Sequence, residues 1–163
     1  MLQSYYTLCL ILMNILCNNK KASFRYNLIK KMEAGMVLDG WEVKSIKSGH
    51  GQISESYISI RDDEIFLINS HFKILQNSTD SDKLSSTRKR KLLLKKREID
   101  LLKTEVKQNG SSIIPLKIYT KKSILKIEIA IAKGKKLKDK RDTIKNREWS
   151  RNKERILKNK SNS

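Results

Sequence analysis

The sequence lacks the residue patterns of disulfide-stabilised, zinc-binding and catalytic proteins. Its two cysteines, Cys9 and Cys17, lie in an apolar stretch without a CxxC spacing or a nearby histidine. This arrangement supports neither a disulfide framework nor a zinc site, and it fits a reducing compartment. The two histidines, His50 and His71, have no Ser/His/Asp set, carboxylate pair or metal-ligand spacing around them. We therefore expect no catalytic residue, no metal and no cofactor.

No apolar run is long enough to cross a bilayer. The longest is continuous from Leu8 to Met13 and reaches Cys17 only if Asn14 is included, whereas a membrane-spanning helix needs about 20 residues. The run also lacks the cationic start and the small-residue cleavage site of a signal peptide. We predict that residues 1–18 form an apolar extension outside the fold, and that the protein has no membrane partner.

Proline and glycine are scarce, and several segments have the pattern of strands. Proline occurs once and glycine six times among 163 residues. Every second residue from Leu125 to Ile131 is a large aliphatic residue, which predicts a strand with one buried face. Residues 112–119 are also rich in β-formers. Residues 57–60 and 65–68 flank an acidic turn and predict a β-hairpin.

Helical signals are confined to two segments. Ile99, Leu102 and Val106 recur at helical spacing and Gly110 suits a C-cap, so we expect a helix from Lys96 to Asn109. A shorter helix is expected to end at Gly49. Further upstream, the glycines at positions 35 and 40 predict breaks around a short β-like run at 36–38. The fold class predicted is therefore mainly β with short helices (α+β).

Acidic residues are few relative to basic ones. Lys and Arg number 36 against 17 Asp and Glu, a net charge of +19, which implies a polyanionic partner. The excess is largest from Lys133 to Lys160, with 13 basic and 4 acidic residues. Residues 133–163 hold too little apolar surface to fold alone, so we predict a basic tail that is disordered when free and helical on its partner. Trp149 in that tail suits stacking on a base.

The hydrophobic content of 38% is enough for one modest core. We place a single domain at residues 19–132. Short strands, few helices, a basic surface and exposed aromatics favour a small β-barrel of the oligonucleotide-binding type, the OB-fold.

Short motifs between Asn19 and Asn159 resemble those of one known family. They are NKKA (19–22), EAG (33–35), GWEVKSIKSG (40–49), RKLLL (90–94), AKGKK (132–136), DKR (139–141), REW (147–149) and RILKN (155–159). Together they make the chain similar to the small protein B family, the SsrA-binding or transfer-messenger-RNA-binding proteins of bacterial ribosome rescue.

The resemblance implies an RNA-binding adaptor of trans-translation. An OB-fold barrel would hold the tRNA-like domain of transfer-messenger RNA and deliver it to stalled ribosomes for rescue and peptide tagging. The tail would become helical in the empty mRNA channel of the small subunit, against ribosomal RNA near the decoding centre. Such a protein would be cytoplasmic, a monomer on each RNA, and without an active site.

Two groups of residues carry these expectations. The RNA-binding group is Lys20, Lys21, Phe24, Tyr26, Glu33, Arg90, Lys91 and Lys95. The ribosome-binding tail group is Lys133, Gly134, Lys135, Lys136, Asp139, Lys140, Arg141, Trp149, Ile156 and Leu157. Basic side chains suit phosphates, two aromatics alternating on a strand suit stacking on bases, and a carboxylate suits base or ribose donors. The other interpretations are surface lysines, core aromatics, and a turn position for the carboxylate beside Gly35.

Three other functions remain open. The acidic triplet at Asp62 to Glu64 suggests a magnesium-dependent nuclease, although acids in a hairpin turn are far more often simply solvated. A general single-strand RNA-binding or ribosome-associated protein would share the basic barrel without preferring a tRNA-like fold. A protein of the membrane surface would use the apolar start and the basic tail.

Overall fold

The protein is described from a computed structural model that covers residues 14–75 and 84–136, and, further on, 141, 144, 145, 148, 149, 151–153 and 155. The strands are β1 (Asn14–Asn18), β2 (Tyr26–Met36), β3 (Gly51–Gln52), β4 (Tyr57–Arg61), β5 (Glu64–Ile68), β6 (His71–Phe72), β7 (Arg90–Leu93), β8 (Ser112–Lys121) and β9 (Ile124–Gly134). The helices are α1 (Ala22–Arg25), α2 (Gly40–Lys47) and α3 (Lys96–Asn109).

One antiparallel sheet organises the molecule. Within the described residues it has seven strands in the order β1-β8-β9-β2-β7-β5-β4, and β3 pairs separately with β6. Strands β1 and β4 are the edges, so backbone pairing does not close the sheet into a barrel. The prediction of a mainly β fold with short helices is confirmed, and the closed barrel stays a prediction.

The main core lies on one face of this sheet. In β9 the side chains of Leu125, Ile127, Ile129 and Ile131 are buried in it, as the alternation predicts. On the opposite face, Ala22 of α1 packs with a small apolar cluster formed by Ile114, Leu116, Ala130 and Ala132. Elsewhere this second face carries mostly polar side chains, and some of them form part of the site described below.

The long helix begins and ends where the sequence predicts. Glu98 Oε2 accepts a hydrogen bond of 2.8 Å from the backbone N–H of Lys95, the N-cap residue. Gly110 ends α3 in the left-handed conformation, with φ of 58°. Leu102 is fully buried and anchors the helix to the main core. The shorter helix, α2, is also confirmed and ends two residues before Gly49.

The predicted hairpin is formed by β4 and β5, with Arg61 opposite Glu64. Asp62 and Asp63 make the two-residue turn, with φ of 46° and 63°. Positive φ at both central residues matches the twist of a type I′ hairpin. The carboxylate of Asp63 pairs with Lys103 on α3. This acidic segment is therefore a hairpin turn.

The predicted domain boundaries need correction at both ends. Strand β1 pairs with β8, so Asn14–Asn18 belongs to the sheet and the fold begins before Asn19. Cys17 is buried in the main core, and burial raises the pKa of its thiol to about 11. At the other end β9 continues to Gly134, beyond the expected limit at residue 132.

Replacing Gly51 by alanine tests the contact between β3 and β1. A Cβ at this position would lie 2.5 Å from Cys17 Sγ, so we expect the substitution to lower the free energy of unfolding by about 1–3 kcal/mol. In a Cys17→Ala background the same change should cost far less. Thermal melts of the four proteins measure the coupling. An equal penalty in both backgrounds would contradict the contact.

Candidate nucleic-acid interface

The first candidate site surrounds Glu33 on the second face of the sheet. Glu33 lies within β2, opposite Glu128 of β9, and its neighbour Ala34 points into the main core. Tyr119 Oη donates to Glu33 Oε2 at 2.5 Å, and Lys121 Nζ donates to the same oxygen at 3.0 Å. The alternative of a turn position is therefore wrong, as is the predicted chain break at Gly35.

These contacts set the charge of the site. The hydrogen bond from Tyr119 lowers the pKa of Glu33 most strongly. Burial opposes this shift, and the hydrogen bond and charge of Lys121 and the charge of Lys126 lower the pKa further. Burial raises the pKa of Tyr119, and the bond to Glu33 adds to this. Lys126 Nζ stands 4.0 Å from Glu33 Oε1. Glu33 is thus an ionised acceptor within a ring of donors.

An exposed leucine extends this surface. Leu93 of β7 is opposite Gly35, and a Cβ on that glycine would lie 3.2 Å from the Leu93 Cβ. The leucine side chain therefore lies on the same face as Glu33, two residues along β2, and is 53% exposed. We call Glu33, Leu93, Tyr119, Lys121 and Lys126 the Glu33 patch. Only Glu33 was predicted, because the other four come together through strand pairing.

The second candidate site is a cavity beside α1. Lys21, Arg25, Tyr26, Glu55 and Tyr57 are among the residues that line it. Lys21 and Arg25 both pair with the carboxylate of Glu55, and hydrogen bonding to Lys21, then to Arg25, lowers the pKa of that carboxyl group. Of these five residues, only Lys21 and Tyr26 were predicted from the sequence. Arg25, Glu55 and Tyr57 were missed, and Tyr57 was predicted only as part of the hairpin.

The predicted aromatic pair is arranged differently from expectation. Phe24 lies on α1 and Tyr26 begins β2, so the prediction that they alternate on one strand is wrong. Both side chains are partly buried. Lys20 and Lys21 form the exposed turn that precedes α1, a position open to phosphates.

Arg90 cannot contact RNA, and its prediction as a binding residue is wrong. Its side chain is 0% exposed, with Nε donating to Glu42 Oε1 at 2.8 Å. Nη1 donates to the Ser70 carbonyl and Nη2 to the Ser86 carbonyl, and the guanidinium lies 4.2 Å from the centre of the Phe72 ring. Burial lowers the pKa of Arg90, and the charge of Glu42 opposes that shift. These contacts anchor β7 to the core.

The neighbouring lysines keep accessible positions. Lys91 is about half exposed and pairs with Glu64 across β5 and β7. Lys95 is exposed at the start of α3. Both remain predicted RNA contacts.

The tail residues divide between the sheet and the segment beyond it. Lys133 and Gly134 end β9, opposite Asn27 and Tyr26, and the Lys135 N–H donates to the Arg25 carbonyl. Lys136 follows and is exposed. Arg141 and Trp149 are helical and exposed, the tryptophan to 68%, with Lys153 Nζ 5.5 Å from its ring centre. Asp139, Lys140, Ile156 and Leu157 lie outside the described residues.

None of the helices in the described parts of the chain has the length and apolar character needed to cross a membrane.

Comparison with known proteins gives one consistent family. Residues 16–159 match the family model described as SmpB protein. An SsrA-binding protein of Ralstonia nicotianae is 46% identical over 146 residues, covering 90% of this chain and 99% of that protein. One from Coxiella burnetii is 48% identical over 140 residues, covering 86% of this chain and 88% of that protein.

A solved structure described as "tmRNA-SmpB: a journey to the center of the bacterial ribosome" has the same fold, with a TM-score of 0.61 and 34% identity over 74% of this chain and 84% of that one. The family match spans most of the chain and includes the residues of the Glu33 patch. The chain therefore belongs to the SmpB family.

Proposed function

We propose that the protein is an RNA-binding adaptor of trans-translation. It binds the tRNA-like domain of transfer-messenger RNA and brings that RNA to stalled ribosomes, where rescue and peptide tagging follow. Family membership supports this function, and the observation that carries it is the Glu33 patch. There an ionised acceptor, two lysines and an exposed leucine share one face of the sheet.

The patch suits structured RNA by its chemistry. Lysines at positions 121 and 126 offer charge to phosphates, which gives affinity but no sequence preference. Glu33 can accept only from donors, such as a ribose hydroxyl or an exocyclic amine, and it repels phosphate. A site with both elements selects an RNA whose donors and phosphates are spaced to fit.

The finer assignments belong to the same proposal. The seven-stranded sheet and the separate β3–β6 pair act as an OB-fold barrel. Residues 133–163 act as a tail that orders as a helix in the empty mRNA channel. The family resemblance and the excess of positive charge support this division. The protein works in the cytoplasm as one monomer per RNA, without catalytic residues or cofactors.

Replacing Glu33 by alanine tests the patch. We expect the complex with the tRNA-like domain to weaken about tenfold or more, because a hydrogen bond to a charged group is lost. The melting temperature should change by no more than about 3 °C, since Glu33 lies at the surface. Glu105→Ala on α3 makes the same change in net charge and should leave affinity nearly unaltered. A Glu33→Ala protein that melts much lower would favour a structural role.

Tyr119→Phe supplies the pH control for the same site. Removing the Tyr119 hydroxyl should move the pKa of Glu33 back towards the usual carboxyl value, as measured by carbon-13 NMR titration of its carboxyl group. Because the folded pKa of Glu33 is lowered, its small contribution to stability is present above the unfolded pKa and is lost as pH falls through the folded one. An unchanged pKa would contradict the role of Tyr119.

A further inference from the structure

The cavity beside α1 is separate from the Glu33 patch and shares no lining residue with it. Its volume is about 180 Å³, which is below the roughly 300–1,000 Å³ of pockets for drug-sized ligands. Tyr57, 51% exposed at the sheet edge, and the partly buried Tyr26 border it. A space of this size with tyrosines at its wall suits one planar group.

A carboxylate of the protein itself occupies the anion position of this cavity. Lys21 Nζ donates to Glu55 Oε1 at 3.0 Å, and Arg25 Nη1 donates to Glu55 Oε2 at 3.2 Å. Two cations from one helix turn thus converge on a pair of oxygens, which is also how cations hold two oxygens of a phosphate. The three side chains are 56%, 44% and 53% exposed, so the ion pairs are weak and easily exchanged.

The backbone around Glu55 is held in place, while its side chain is about half exposed and, among the described residues, is held only by the two surface ion pairs. Asn69 Nδ2 donates to the Glu55 carbonyl at 3.1 Å, and Ser56 Oγ donates to the Ile53 carbonyl at 2.7 Å. An incoming anion therefore displaces one side chain without rebuilding the loop.

We propose that this cavity binds a single unpaired nucleotide of the RNA. The phosphate takes the place of the Glu55 carboxylate on Lys21 and Arg25, and the base stacks on Tyr57. The inference deepens the proposed function, since it rests on the protein binding RNA. Glu55 competes with every polyanion for the two cations, so a bare phosphate gains little here, whereas a nucleotide adds the stacking of its base.

The test measures dissociation constants and their salt dependence for Glu55→Gln, with Glu105→Gln as the control of equal charge change. The probes are the tRNA-like domain and a single-stranded RNA oligomer. Glu55→Gln should bind both RNAs about fivefold more tightly, because the two cations are no longer neutralised. The logarithmic salt slope should steepen by about 0.7 for each additional phosphate that the protein neutralises. Glu105→Gln should change affinity by less than about twofold.

The base is tested separately at Tyr57. Tyr57→Leu should weaken RNA binding about tenfold while Tyr57→Phe keeps it, because stacking needs the ring and not the hydroxyl. Inorganic phosphate added at constant ionic strength should displace little RNA. Equal affinities for the two Gln variants, or for the Leu and Phe variants, would overturn the site. If the unaltered protein shows no preference for the tRNA-like domain, the proposed function is contradicted instead. The differences in affinity between the variants can then still be measured with the single-stranded oligomer.

Discussion

Replacing Arg90 by alanine is expected to lower the free energy of unfolding by about 3–5 kcal/mol. The guanidinium is fully buried, and its partner Glu42 is 0% exposed. Removing it leaves Arg88 and the backbone N–H of Asp39 as the donors to that carboxylate. It also strips hydrogen bonds from the Ser70 and Ser86 carbonyls. Denaturant titration followed by circular dichroism measures the loss.

Lys89→Ala is the matched control for Arg90, since it removes a neighbouring cation that is exposed. Its effect on stability should stay within about 0.5 kcal/mol. RNA affinity of the folded fraction should be the same for Arg90→Ala as for Lys89→Ala. A stable Arg90→Ala protein that has lost RNA affinity would return Arg90 to the binding surface.

Removing residues 137–163 is expected to abolish peptide tagging on stalled ribosomes. Binding to the tRNA-like domain should remain within about threefold at near-physiological salt, since screening limits the reach of distant charges. The cut keeps Lys135, whose N–H is bonded to Arg25. All of the described residues after position 140 are exposed, so the removal of those residues uncovers no core. A reconstituted tagging reaction and a gel-shift titration measure the two activities.

A full-length variant with residues 137–163 in scrambled order separates sequence from charge. It keeps the ten basic and four acidic residues of this segment and should bind RNA normally while failing to tag. If the scrambled protein supports tagging, the tail acts only through its positive charge and not through its sequence. Equal loss of RNA binding and tagging in the truncated protein would contradict the division between domain and tail.

Elements set by local signals were predicted to within about three residues. The helix at Lys96–Asn109 has its own apolar spacing and a glycine to end it, and β9 has strict alternation. Strand β1 was missed because its partner β8 is about one hundred residues away. Beyond Tyr26, strand β2 was missed because polar residues such as Lys30, Lys31 and Glu33 obscure its pattern and Gly35 suggested a break. This glycine instead makes room for Leu93.

The candidate sites depend even more on contacts between residues that are distant in the sequence. Motif resemblance singled out Glu33, but the tyrosine that orients it lies 86 positions further on. Arg90 stands in a run of basic residues, a pattern that predicts a surface cation. Its burial depends on Glu42, 48 positions earlier, and on the ring of Phe72. Charge in a sequence identifies the class of partner, whereas only the pairing of strands decides which charges face that partner.

The most direct test of the central claim is a gel-shift titration with the tRNA-like domain of transfer-messenger RNA. It would be done at near-physiological salt, with bulk tRNA and a single-stranded oligomer as competitors. The adaptor function predicts tight binding that survives both competitors. Binding that either competitor removes at equal concentration would contradict it, and would mean that the net charge of +19 acts as a general RNA-binding surface.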